Sequence, residues 1–292
     1  MRAAPSGILL VLAASTCFGT LGVFSSLFYS DGGSPWTLLF LRFVITGPVL
    51  AIVAVVLGER WPGRRLALLG ASLGVFQLGV GIGLFEGYER APVALVSLLY
   101  FAYPLMVAVG AMLIYRETLS PRRGAILLVA LTGVVLIVGI PDSANVAGIL
   151  LGLLAAISVT GCVLASQRLL TTDGLSPIVL CALMFTSPAI VLLLLLPVRA
   201  PEFDISAPAW GWALCGVFIA AVFPIACFYT GVQRIGASVA GLLSTAEPLV
   251  TVLLAYIVLD ESLTAWQLVG GALIVTGVAA LSLESRRAPA TA

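Results

Sequence analysis

"AEPLVTVLLAYIVLDESLTAWQLVGGALIVTGV", residues 246–278, repeats a pattern found 144 positions earlier as "AYPLMVAVGAMLIYRETLSPRRGAILLVALTGV", residues 102–134. Pro248 falls on Pro104, Glu261 on Glu117, Leu263 on Leu119, and Thr276-Gly277-Val278 on Thr132-Gly133-Val134. The register runs back without a gap to Gly231 and Arg234 over Gly87 and Arg90. Nearer the start the offset is about 142, with "GILL" at 7–10 and 148–151, Ser34-Pro35 over Ser176-Pro177, and "GVF" at 74–76 and 216–218. Chance likeness between apolar helices gives Leu and Val identities; it does not align Pro, Gly, Arg and Glu. The chain is an internal repeat, with halves expected at 1–143 and 144–292.

The solvent of each half follows from composition. The chain is 61% hydrophobic and 9% charged, where a water-soluble domain carries roughly 25% charged residues. Its mean hydropathy is +1.18, so most of its surface must face lipid. A bilayer core of ~30 Å needs about 20 apolar residues per helix. Apolar runs bounded by charge, Pro or Gly predict ten spans, near 7–29, 36–57, 66–88, 92–115, 123–140, 146–168, 177–197, 209–232, 236–259 and 265–283. Backbone polar groups in hydrocarbon must be satisfied within their segment, so these are helices. The expected fold is an all-α integral membrane protein, with no soluble domain inserted in the short connections.

All fourteen basic residues are arginine. With a cytoplasmic N-terminus, eleven lie in inner segments, among them Arg60, Arg64, Arg65, Arg116, Arg122, Arg168 and Arg234; Arg90 and Arg199 lie outside, and Arg42 lies within span two. This is a positive-inside bias, and it places both termini in the cytoplasm. Five spans per half is odd, so the second half enters the membrane from the opposite side. Inverted repeats are a signature of secondary transporters, whose halves exchange conformations.

Several chemistries are absent from the residue list. No histidine is present, which removes imidazole acid–base work and His-metal sites. Cys17, Cys162, Cys181, Cys215 and Cys227 all fall in apolar runs without a CxxC pair and read as small buried hydrophobes. No Gly-rich phosphate loop and no basic patch suited to nucleic acid appear. No catalytic residue, metal or cofactor is expected.

The twin pattern quoted above, together with "LRF" at 41–43, resembles the two EamA repeats of the drug/metabolite transporter superfamily over essentially the whole chain. Within it the chain looks most like the bacterial aromatic amino acid exporters of the YddG type. That resemblance implies ten helices around a central cavity, walled chiefly by spans 1, 3, 4, 6, 8 and 9, in the inner (plasma) membrane. It implies small organic substrates, often amino acids moved outward, and a monomer or weak homodimer. By this analogy alone, Phe18 and Ser158 are placed at the cavity.

The polar residues inside spans are the candidate site. Glu247 sits among Leu242, Leu243, Leu249 and Leu253, and a charge at the centre of a membrane helix costs about 2.5–3.5 kcal/mol. It should face the bundle interior, on one face with Ser244 and Thr251. Three roles stand open: contact with a substrate amine, proton carriage, or a gate beside the helix break at Pro248, which frees a backbone carbonyl. At the repeat offset, Glu247 falls on Tyr103, Pro248 on Pro104, Ser244 on Tyr100 and Gly241 on Ser97. The face Ser97, Tyr100, Tyr103 suits an aromatic or zwitterionic guest, or else packs the bundle. Gln77, with Phe76 alongside, needs a partner on another helix or on the ligand. Arg42 is expected in a structural ion pair. Pro104 and Pro248 are expected hinges.

The expected function is export of small amphipathic metabolites, aromatic or neutral amino acids foremost, without ATP. An exchanger of nucleotide sugars or phosphorylated metabolites would need more basic residues in the cavity, and a membrane enzyme would need clustered acids or a nucleophile–base pair. The topology is checked by fusing alkaline phosphatase or a fluorescent protein after Ala292. A fluorescent and phosphatase-inactive C-terminus is expected; phosphatase activity there overturns the orientation.

Overall fold

Hydrocarbon leaves no partner for a backbone amide except another group of the protein. In the computed structural model every described regular element is accordingly helical. Residues 5–91, 96, 99–116, 120–138, 146–258 and 264–287 are described. Ser97, Glu117, Glu261 and both chain ends lie outside them.

The first half holds α1 (Pro5–Gly19), α2 (Leu21–Ser30), α3 (Pro35–Val56), α4 (Arg64–Ser72), α5 (Gly74–Arg90), α6 (Tyr103–Tyr115) and α7 (Pro121–Val138). The second holds α8 (Val146–Thr171), α9 (Pro177–Leu194), α10 (Ala207–Val217), α11 (Phe223–Ile235), α12 (Ala237–Leu243), α13 (Glu247–Val258) and α14 (Ala265–Arg287). A π-turn, Phe218–Val222, joins α10 to α11, and a 3-10 turn, Ser244–Ala246, joins α12 to α13. Among the described residues seven stretches are apolar and long enough to cross a membrane: Ser6–Ser30, Pro35–Val56, Arg64–Gly87, Val146–Thr171, Pro177–Leu194, Ala207–Ile235 and Ala237–Val258. Shorter apolar helices, Tyr103–Tyr115, Gly124–Leu136 and Ala265–Gly277, occupy the positions of the other expected spans. Large apolar side chains such as Val56, Leu113 and Ile257 point away from the protein. On a soluble protein such a surface would drive association; here it is the lipid face.

The helix pairing follows the repeat. α5 packs on α8, and α1 packs on α11, which is the same contact with the halves exchanged. α3 with α9 and α7 with α14 each pair a segment with its own repeat mate, while α6 packs on α12, the helix preceding its mate α13. Close crossings depend on absent side chains: a Cβ on Gly83 would lie 2.6 Å from the Leu151 carbonyl oxygen and 2.8 Å from the Ala155 nitrogen.

Two expected spans are each divided into two helices. The first divides at Thr20, whose Oγ1 donates to the Cys17 carbonyl at 2.6 Å. The third divides at Leu73, where Ser187 from α9 donates its Oγ proton to the Ala71 carbonyl at 2.6 Å. A side chain inserted into the helical ladder is a recognised cause of a kink. In the eighth segment the π-turn precedes Pro224, which cannot donate to the ladder.

Gly83→Val is expected to destabilise the protein by about 1–3 kcal/mol through overpacking at the α5–α8 crossing. Thermal unfolding in detergent checks this, with Gly211→Ala, which has open space around it, as an unchanged control.

Candidate functional site

The two prolines stand where helices restart. Pro104 is the second residue of α6 and Pro248 the second of α13, positions at which the missing N–H has no helical partner anyway. The residues just before them, Tyr103 and Glu247, both face an internal chamber. Below Glu247 the chain tightens into the 3-10 turn, with Thr245 donating to the Leu242 carbonyl at 2.7 Å and Ser244 to the Ala240 carbonyl at 3.0 Å. The bare Gly19 comes up against the Glu247 carbonyl and Val250. The break in the first segment and the break at Pro248 therefore lie side by side.

The chamber measures ≈ 70 Å³. Its walls are mainly aromatic: Phe18, Phe43, Phe85, Tyr100, Tyr103, Phe228 and Tyr229. Phe18 and Phe228 meet edge to face at 6.5 Å, and Tyr100 and Tyr103 lie tilted at 5.2 Å. Two charges face the space, Arg42 and Glu247. They stand close enough to interact electrostatically, yet among the described residues neither closes an ion pair. At the floor Gln77 donates to the Tyr229 hydroxyl at 3.4 Å and approaches the Cys162 sulfur at 3.5 Å, while Cys162 and Tyr229 lie 3.2 Å apart. This network joins α5, α8 and α11.

Away from the start of α1 the chamber widens into a vestibule of ≈ 340 Å³ between Ser25, Ser26, Tyr29, Pro35 and Thr251. Phe18, Phe85, Tyr100 and Glu247 line both spaces, so Glu247 stands at their junction. Toward the start of α1 the path is sealed. The Ala237 amide donates to Gln167 Oε1 at 2.6 Å, Gln233 donates to the Leu170 carbonyl at 3.2 Å, and the Tyr115 hydroxyl bonds the Leu164 carbonyl. Val107 and Val239 are buried in the same region. The outer rim is braced by Glu86, which pairs with Arg90 at 2.6 Å and Arg199 at 2.8 Å, and Arg199 lies 4.4 Å over the Trp36 ring.

The structure brings Phe18, Gln77, Tyr100, Tyr103 and Glu247 together at the chamber. Ser244 is buried beside Tyr103, and its hydroxyl also bonds back to Ala240. Ser158 meets Gly79 at the α5–α8 crossing, and its neighbour Val159 reaches the wall instead. The Phe76 ring lies over Gly161 in the same crossing. Arg42 differs from expectation: it faces the chamber rather than a structural partner. Phe228 and Tyr229 were not singled out from sequence, although the offset that pairs Gly87 with Gly231 also pairs Leu84-Phe85 with them.

A helical membrane bundle built from two copies of one pattern, with an internal cavity at paired helix breaks, is an architecture of membrane transporters. The chain belongs to the EamA-like transporter family, which matches it twice, over residues 5–139 and 146–283. Similar proteins include an uncharacterized transporter of Synechocystis sp., 25% identical across 95% of this chain and 93% of that one. The uncharacterized inner membrane transporter YicL of Salmonella typhimurium is 26% identical across 98% of both chains. An uncharacterized transporter of Archaeoglobus fulgidus is 27% identical across 92% of this chain and 96% of its own. A protein of known crystal structure shares the fold, with a TM-score of 0.83 at 21% identity over 97% of this chain and 100% of that one. The protein is a multi-pass membrane transporter.

The open and sealed sides give a direct check. In a cysteine-free background, Ser26→Cys in the vestibule is expected to react with a membrane-impermeant maleimide, and Ser238→Cys behind the inner seal to stay protected. Equal labelling of the two contradicts this geometry.

Proposed function

We propose that this protein exports small zwitterionic metabolites, aromatic and other neutral amino acids foremost, by alternating access. The observation that carries the reading is the pairing of Arg42 and Glu247 inside one aromatic chamber. A guanidinium suits a carboxylate through a bidentate fork, a carboxylate suits an ammonium group, and flat rings suit an apolar or aromatic side chain. The likeness to aromatic amino acid exporters, stated from the sequence, supports the same substrate class. A phosphorylated or nucleotide-sugar cargo fits less well, because the arginine is opposed by an acid.

In this reading ten helices span the membrane as two inverted halves, 1–143 and 144–292, with both termini cytoplasmic. The helix pairing, which survives exchange of the halves, supports that division. The vestibule falls within the ~300–1,000 Å³ usual for small-molecule sites, whereas the chamber does not. A substrate therefore has to widen the chamber, and the segments that can yield are those restarting at Pro104 and Pro248. Closing the vestibule while releasing the seal at Gln167 and Ala237 would open the opposite face. Glu247, at the junction of chamber and vestibule, holds the substrate amine or carries a proton across.

Purified protein in liposomes, offered a panel of labelled amino acids, tests the substrate class. Saturable flux of aromatic or neutral amino acids is expected; no saturable flux for any of them contradicts it. Arg42→Gln should fold and lose about tenfold or more in kcat/KM, the scale of one hydrogen bond to a charged group; Glu247→Gln should also fold, and its effect separates two roles. If Glu247 carries the proton, Glu247→Gln keeps substrate exchange but no longer responds to an imposed pH gradient. If it holds the amine, exchange falls as well.

A further inference from the structure

A second recess of ≈ 790 Å³ opens on the face where α1 begins, beside the seal, with Tyr115 in its wall. Arg64 and Arg65 at the start of α4 and Arg168 near the end of α8 line it together. All three side chains are exposed, and among the described residues none closes an ion pair, although Asp173 lines the same recess. The floor is apolar, formed by Leu66, Leu69, Leu73 and Leu169. It continues onto Leu68 and Leu69, which are 61% and 45% exposed at the lipid face.

The recess is not a by-product of the repeated fold. At the offset of about 142, Arg64 maps to Ser206, Arg65 to Ala207, Arg168 to Ser26 and Asp173 to Asp31. There no guanidinium is present: Asp31 is engaged by Trp212 Nε1, which donates to its carboxylate at 3.0 Å, and by Ser206, which donates to its carbonyl at 3.2 Å, while Ser26 faces the vestibule. Of the two equivalent places, the one lined by guanidinium groups lies on the arginine-rich face.

We propose that this recess binds the phosphate headgroup of an anionic phospholipid from the cytoplasmic leaflet. Guanidinium forks match phosphate oxygens in geometry and charge. Basic pockets between helix ends on the cytoplasmic side are suited to such headgroups, and the leucine floor accepts the start of an acyl chain. Arg64 and Arg65 belong to the first half and Arg168 to the second, so one lipid bridges helix ends of both.

Binding is read on the full-length protein in zwitterionic detergent, by native mass spectrometry and thermal stabilisation. The probes are phosphatidylglycerol, phosphatidylcholine and inorganic phosphate. Phosphatidylglycerol is expected to stay bound and to raise the unfolding temperature, while the other two leave it unchanged. Each arginine replaced by Gln should weaken that binding about fivefold, from ~1 kcal/mol per basic residue near an anionic surface. Arg60→Gln, which lies outside the recess, should not. If the variant with Arg64, Arg65 and Arg168 all replaced does not fold, Arg168→Gln alone carries the fivefold expectation. Unchanged phosphatidylglycerol binding in the folded variants overturns the site. Equal stabilisation by phosphatidylcholine overturns the charge recognition, and equal stabilisation by inorganic phosphate overturns the lipid as occupant.

Discussion

The structure depends on one constraint: a backbone amide in hydrocarbon must be paired, so a helix can break at membrane depth only where protein or a polar cavity surrounds the break. This chain breaks helices at Thr20 and Leu73, and restarts them at Tyr103 and Glu247. The first and last of these lie side by side, and Tyr103 and Glu247 border the same chamber. The chamber and the breaks at Thr20, Tyr103 and Glu247 are thus one feature. Freed backbone groups find hydroxyl partners, as Cys17 does with Thr20 and Ala71 with Ser187.

Seen this way, the asymmetry between the halves carries the chemistry. Both halves place Pro one residue after a chamber-facing side chain, but one offers a phenol and the other a carboxylate. The open vestibule lies on the side of Thr251, and the repeat mate of Thr251 at offset 144 is Val107, buried on the sealed side. One polypeptide pattern, used twice, thus appears in two different packings within a single molecule. In the alternating-access mechanism we propose, each half provides a template for the other's alternative shape.

Much of this was legible in the sequence. The repeat, the lipid solvent, the helical class and the facing pair Tyr103 and Glu247 all follow from patterns of Pro, Gly and charge. Gln77 was recognised as needing a partner, and it has two, Tyr229 and Cys162. What escaped depends on contacts between distant segments. Arg42 looked like a structural ion-pair residue because nothing in its own helix marks the chamber side. The kink at Leu73 is made by Ser187, more than a hundred residues away. Ser158 and Phe76 sit on chamber-lining segments but turn toward Gly79 and Gly161, a rotation of the helix that composition does not encode. Tyr229 could have been found by extending the repeat alignment to Phe85.

The most direct test of the exchange between halves is a pair of spin-label distances measured with and without substrate. One pair spans the vestibule, at Ser30 and Ala91; the other spans the sealed face at Thr172 and Arg234, equivalent or adjacent positions in the second half. The account predicts that a saturating neutral amino acid shortens the first distance while lengthening the second. Two distances that shift in the same direction, or that ignore a substrate the protein demonstrably transports, would contradict it.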